Sequence, residues 1–140
     1  MNNTKKKIKI LQILPSLNIG GVERGVVEFA RYCKNLPEQK VEIIVVSSGG
    51  SMVNYLLQNK IKHITLPVNS KNPITIFTNI YRIKKIVKKF GVDIIHARSR
   101  APAWSSYFAA KKTGCKFITT FHGSYSNKLI FQNSKLKLWY

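Results

Sequence analysis

Histidine, arginine and paired glycines gather in three short stretches of this chain, each directly behind an apolar run. The stretches are Pro15-Ser16-Leu17-Asn18-Ile19-Gly20-Gly21-Val22-Glu23-Arg24, His96-Ala97-Arg98-Ser99-Arg100 and Thr119-Thr120-Phe121-His122-Gly123. Gly20-Gly21 precedes a helix-like segment, where free backbone amides suit an anion such as a phosphate. The same pair also fits a plain tight connection that needs positive φ. Arg98 and Arg100 are forked donors that suit a carboxylate or phosphate. His122 has no acid near it in sequence, so it reads either as a hydrogen-bonded loop residue or as a proton-transfer group. His63 opens a short strand, and no role is assigned to it.

The acids narrow the chemistry. The only carboxylate side chains are Glu23, Glu28, Glu38, Glu42 and Asp93, and no Asp-x-Asp motif occurs. Paired-carboxylate glycoside hydrolysis and metal-assisted phosphoryl transfer both need groups this set does not supply, so no metal site is expected. The glycines are not spaced Gly-x-Gly-x-x-Gly, and the second strand ends in Ser47-Ser48 with no acid to hold a ribose, which argues against a dinucleotide. No Gly-Lys-Ser/Thr follows the first loop, and no Gly-x-Ser-x-Gly nucleophile elbow is present.

The elements that must position these residues alternate regularly. Strands are expected at Ile8–Leu14, Val41–Val46, His63–Leu66, Asp93–His96 and Lys116–Phe121. Helices are expected at Val22–Leu36, Met52–Asn59, Ile74–Phe90 and Pro102–Thr113. In the third helix Ile76, Ile80, Ile83, Val87 and Phe90 share a stripe, with Arg82, Lys84, Lys85, Lys88 and Lys89 off it. Strict β/α alternation with short connections implies an α/β fold: one parallel sheet, order 3-2-1-4-5, with helices on both faces. In such a sheet ligands bind outside the carboxyl ends of the strands, so the three polar loops should share one rim.

A chain of 140 residues supports a single domain with a real core. Its formal charge of +19 has two readings, a Lys-rich coding bias or attraction to anionic partners. Phe29, Phe77, Phe90 and Phe121 read as core positions, leaving no stacking platform for a nucleic acid. Cys33 and Cys115 lack metal-ligand spacing and suit a reducing compartment, although a disulfide between them stays open. No apolar run reaches the ~20 residues of a membrane span. A cytoplasmic protein is expected, peripheral on the inner face of the plasma membrane if Lys84, Lys85, Lys88 and Lys89 face its anionic surface.

Taken in order, these segments resemble the N-terminal domain of the family 4 glycosyltransferases, retaining enzymes of the two-Rossmann-domain GT-B fold. The resemblance rests on Leu14-Pro15-Ser16, Gly20-Gly21-Val22-Glu23-Arg24, Ser47-Ser48-Gly49-Gly50, Ile64-Thr65-Leu66-Pro67, Asp93-Ile94-Ile95-His96-Ala97-Arg98-Ser99-Arg100-Ala101-Pro102-Ala103-Trp104 and Thr119 to Gly123. It implies a Rossmann-like acceptor-side domain over residues 1–123 and a tail over 124–140. The Gly20-Gly21 loop would then lie against the donor's diphosphate, with Glu23 and Arg24 also binding substrate. His122, beside Gly123, would contact the transferred sugar, and His96, Arg98, Ser99 and Arg100 would border the acceptor. The Arg-Ala-Pro-Ala-Trp version is similar to members acting on lipopolysaccharide or other envelope glycans, with an acceptor that could be lipid-linked. The family's second domain, with its nucleotide-sugar pocket and paired glutamates, has no counterpart in these residues. The resemblance therefore implies half an enzyme: a relic, or one chain of two, inactive alone, with no cofactor beyond the sugar donor. A binding module for a glycan or an anionic membrane is the alternative.

Overall fold

The computed structural model describes residues 6–38 and 40–121. Nine elements alternate along them: β1 (Ile8–Ile13), α1 (Gly21–Asn35), β2 (Val41–Ser47), α2 (Val53–Gln58), β3 (Lys62–Thr65), α3 (Pro73–Phe90), β4 (Ile94–Ala97), α4 (Arg100–Thr113) and β5 (Lys116–Thr119). The five strands form one sheet in the order β3-β2-β1-β4-β5, parallel at every pairing. This is the expected Rossmann-like α/β topology.

Two apolar layers hold the sheet, because a strand covered on both faces buries consecutive residues. Leu11, Ile13, Ile44, Val46 and Ile95 meet Ile80, Ile83, Ile86 and Val87 of α3 and Ala109 and Ala110 of α4. Leu14, Ile43 and Val45 meet Val26, Val27, Ala30 and Cys33 of α1 and Leu56 of α2. Cys33 and Cys115 belong to opposite layers, and both are free thiols. That closes the disulfide left open by the sequence.

Local signals explain the longest helix. The Asn72 side chain accepts from the Ile74 amide at 2.9 Å, Pro73 takes the first turn, and Gly91 ends the helix at φ 64°. Its buried face differs from the expected stripe: Ile86 and Asn79 are buried, while Ile76 is half-buried. Ile86 and Asn79 adjoin Ile83 at i+3 and i−4 spacing, so they fall on the same helical face. Asn79 is accommodated because its amide donates to the Pro67 carbonyl at 3.0 Å.

Several sequence expectations need correction. Phe29, Phe77 and Phe121 are 41%, 59% and 48% exposed rather than core residues, and Phe90 is half-buried. Small and branched side chains (Val26, Val27 and Ala30 on α1) already fill the space over the sheet, so the larger rings are left at its margins. Helix α4 starts at Arg100, two residues earlier than expected, which takes Arg100 out of the loop and into the first turn. Strand β5 ends at Thr119, although the Thr120 amide still donates to the Ala97 carbonyl at 3.0 Å.

Candidate functional site

Because every strand is parallel, the loops after β1, β2, β4 and β5 all leave from one rim. The chain order reverses between β1 and β4, where a crevice forms in open sheets of this kind. The rim gathers Gly20, Gly21, Glu23 and Arg24 after β1, then Arg98 and Ser99 after β4, with His96 as a residue of β4 itself. Thr120 and Phe121 follow β5. His122 and Gly123 lie outside the described residues.

The first of these loops is clamped by the second. The Leu17 amide donates to the Gly49 carbonyl and the Met52 amide to the Leu17 carbonyl, both at 2.8 Å. The Ser48 amide and hydroxyl both donate to the Pro15 carbonyl. Gly50, at φ 146°, lets the two backbones touch: a Cβ there would lie 2.4 Å from the Leu17 carbonyl carbon. Sequence reasoning placed the weight on Gly20-Gly21 and treated Ser47-Ser48-Gly49-Gly50 as a strand ending. The glycine run was the available signal.

Gly20 is extended at φ −166°, and neither Gly20 nor Gly21 has positive φ, so the conformational reading of that pair fails. What Gly20 supplies is room. A Cβ at Gly20 would fall 2.3 Å from Glu23 Oε2, because Glu23 folds its carboxylate back over the start of α1. A glutamate three residues into a helix is placed for this, and its negative charge suits the positive end of the helix dipole. No side-chain capping bond forms at Gly20, so the Glu23 carboxylate lies beside the start of α1 without closing it. Arg24 is exposed, and its amide closes the first turn onto the Gly20 carbonyl at 3.0 Å.

Across the crevice, His96 Nε2 and Thr120 Oγ1 are 3.2 Å apart, which ties the ends of β4 and β5 together. Gln12 pairs in register with His96 from the central strand. It is fully buried, yet neither atom of its amide has a hydrogen-bond partner. Arg98 continues from β4, its amide donating to the Ile13 carbonyl at 2.8 Å. Its guanidinium reaches α1, where Nη2 lies 3.5 Å from the position a Cβ on Gly25 would take. Burial holds this guanidinium below the usual arginine range. Ser99 is half-buried at the α4 N-cap position without a side-chain capping bond. Arg100 is exposed and borders a separate apolar groove of about 210 Å³ with Trp104, Tyr107, Phe117 and Phe121.

His63, given no role from sequence, is half-buried with Nε2 2.8 Å from Ser47 Oγ, and burial pushes its pKa down. It braces β2 against β3 behind the rim. A larger hollow of about 310 Å³ lies at the other end of the sheet, beside Lys7, Val41 and Glu42, away from all of these groups. Among the described residues no cluster of three or more His, Cys, Asp or Glu could hold a metal ion.

The domain description Glycosyltransferase Family 4 matches residues 19–140, most of the chain. The chain belongs to glycosyltransferase family 4. A solved glycosyltransferase from Rickettsia africae ESF-5 is 52% identical, with a TM-score of 0.76 over 85% of this chain and 31% of that one. MurG of Acinetobacter baumannii (15% identity, TM-score 0.58) and the lipopolysaccharide outer core galactosyltransferase WaaB (18%, 0.57) share the fold. Each is covered over 80% of this chain and about a third of its own length. The family 4 domain described here thus spans about a third of these structures and has the architecture of one half of a GT-B protein. A UDP-GlcNAc 2-epimerase from Methanocaldococcus jannaschii, 11% identical with a TM-score of 0.57, has the same fold, so the fold alone does not specify sugar transfer. No curated protein matches the chain.

Proposed function

We propose that this domain forms the acceptor-side wall of a sugar-transferring site, with the nucleotide-sugar donor held by a donor-binding domain outside these residues. Family membership across residues 19–140 is the observation that carries the reading. The rim is consistent with it: Gly20, Gly21, Glu23 and Arg24 border the crevice on one side and His96, Arg98 and Ser99 on the other, while Arg100 lies beside the neighbouring apolar groove. Transfer requires donor and acceptor to be oriented together, which one wall does not achieve. The family resemblance gives His122 the contact with the transferred sugar, and an envelope glycan the role of acceptor. The test is transfer of a labelled sugar by the 140-residue chain mixed with the donor-binding domain of a family 4 relative. We expect product from the mixture, none from the chain alone, and a loss of roughly 10²–10⁴-fold on His122→Ala. Product from the chain alone, or no effect of His122→Ala, would contradict the assignment.

A second reading concerns where the acceptor is met. On α3, Ile74, Phe77 and Tyr81 are 74%, 59% and 47% exposed and lie in line with Lys85 and Lys88. An exposed stripe that passes from apolar to basic suits an anionic membrane surface, where each lysine adds about 1 kcal/mol. Lys89 is exposed beside it, whereas Lys84 is half-buried and contributes less. No helix among the described residues is long and apolar enough to cross a membrane. Co-sedimentation with anionic vesicles should fall steeply with salt and with Lys85→Gln/Lys88→Gln/Lys89→Gln. Equal binding to neutral vesicles would exclude this role.

A further inference from the structure

We infer that Arg98 anchors an anionic group, a phosphate or carboxylate, on the sugar acceptor. The inference rests on the acceptor-side reading above and names the class of acceptor. Four features of the chain support it. First, the guanidinium is partly withdrawn from water, with Nε fully buried and without a hydrogen-bond partner. Second, the ion pairs among the described residues are Lys6–Asp93 and Lys40–Glu38, so Arg98 has no carboxylate of its own. Glu23, the acid on the adjacent helical turn, directs its carboxylate to Gly20 instead. Third, the residue opposite Nη2 on α1 is Gly25, and a side chain longer than a methyl would press on the fork. Fourth, Gln12, orphaned and fully buried, pairs in register with His96 two residues before Arg98, so a second unsatisfied polar group lies along the same β1–β4 seam.

A charge taken from water without a partner costs stability, and a chain keeps such a group where something else supplies the counter-charge. The planar fork fits a carboxylate or phosphate with two parallel hydrogen bonds, which a lysine does not reproduce. The site lies at the carboxyl ends of β1 and β4, on the rim where the acceptor is placed.

The experiment titrates the 140-residue chain with glucose 6-phosphate, glucuronate, glucose and UDP. It follows the arginine Nε–H resonances by NMR and measures thermal unfolding of each variant. We expect glucose 6-phosphate or glucuronate to shift the Arg98 resonance and glucose to leave it unmoved. Whichever anion binds identifies the acceptor's charged group. Affinity should fall at least ten-fold in both Arg98→Gln and Arg98→Lys, and stay within two-fold in Lys111→Gln on the exposed end of α4. The melting temperature of Arg98→Gln should equal or exceed that of the parent, since an unpaired charge is removed. A clear fall in melting temperature would make Arg98 a structural residue. Unchanged affinity in both variants would remove it from the site. Binding of UDP alone, lost on Arg98→Gln, would assign the residue to the donor. Each of these three results overturns the proposal. The sugar-transfer reading fails separately, through absent product with anion binding intact.

Discussion

Replacing Gly50 by alanine should cost far more than the same change one residue earlier, and the contrast tests the clamp between the two rim loops. At Gly50 the added Cβ would lie 2.4 Å, 2.5 Å and 2.7 Å from the Leu17 carbonyl carbon, the Leu17 oxygen and the Asn18 nitrogen. All three are backbone atoms, so relief requires the β1–α1 loop to move as a body. Overpacking of this kind costs about 1–3 kcal/mol. Holding a non-glycine residue at φ 146° adds about 1–2 kcal/mol. The sum is about 2–5 kcal/mol, a fall in melting temperature of roughly 6–20 °C for a domain of this size. Gly49 has φ 102° and nothing within 4 Å of the added methyl, so Gly49→Ala should cost only the backbone term, about 1–2 kcal/mol. Gly20→Ala meets only the movable end of Glu23 and should cost less than about 1 kcal/mol. Guanidinium unfolding followed by circular dichroism measures all three. Equal losses for Gly49→Ala and Gly50→Ala, or a loss below about 0.5 kcal/mol for Gly50→Ala, would refute the clamp.

Other consequences can be measured on the same protein. Asp93 accepts from the Lys9 amide and the Lys6 ammonium, both at 2.9 Å, and those bonds hold its carboxyl below the usual range. Asp93→Asn should cost about 1 kcal/mol, discounted for exposure. The Asp93 contribution should be complete above about pH 4 and vanish as pH falls through the lower folded-state value, and a parent and variant that lose stability in parallel there would exclude it. Burial disfavours the charged form of His63, so the unfolded chain takes up a proton first. Its share of stability should be full above about pH 6.5 and decline on acidification towards the lower folded value, a slope that His63→Gln should flatten. Ser47→Ala, which strips that ring of its partner, should cost about 1–2 kcal/mol in denaturant titration. The Cys33 thiol, buried in the α1 layer and raised in pKa by burial, should react with a thiol reagent only as fast as the domain opens, well behind Cys115.

The order of the sheet was legible because β/α alternation and short connections leave few arrangements of parallel strands. Helix ends marked by Gly91 and Gly114 were legible for the same kind of reason: each residue has one dominant backbone effect. Interactions between segments far apart in sequence were not. Nothing in Gly49-Gly50 alone reveals that Leu17 lies against it, and nothing in Gln12 reveals that the strand buries its amide without a partner. Arg98 and Arg100 look equivalent as a pair of cations. Only the early start of α4 separates them, placing one beneath α1 and the other in solvent. The phenylalanines misled because hydrophobicity alone does not say which residue fills a core already occupied by valine and alanine.

The Lys9–Asp93 clasp also bears on how the chain reaches this fold. Strand β1 pairs with β2 soon after one helix, but its bonds to β4 join residues 84 positions apart. Closing the longer loop costs only roughly 0.8 kcal/mol more entropy than closing the shorter one, since the cost grows logarithmically with length. Search time is less forgiving, and non-local parallel pairing is a slow class of folding event. The half-sheet β3-β2-β1 can assemble before β4 arrives, leaving one side of β1 as an open edge with unpaired amides until it does. Gln12 and Ile13 on that edge are the residues against which His96 and Arg98 later settle. The crevice therefore comes into being with the last strand pairing at β1, and destabilising the clasp should slow its assembly more than that of the β2 side.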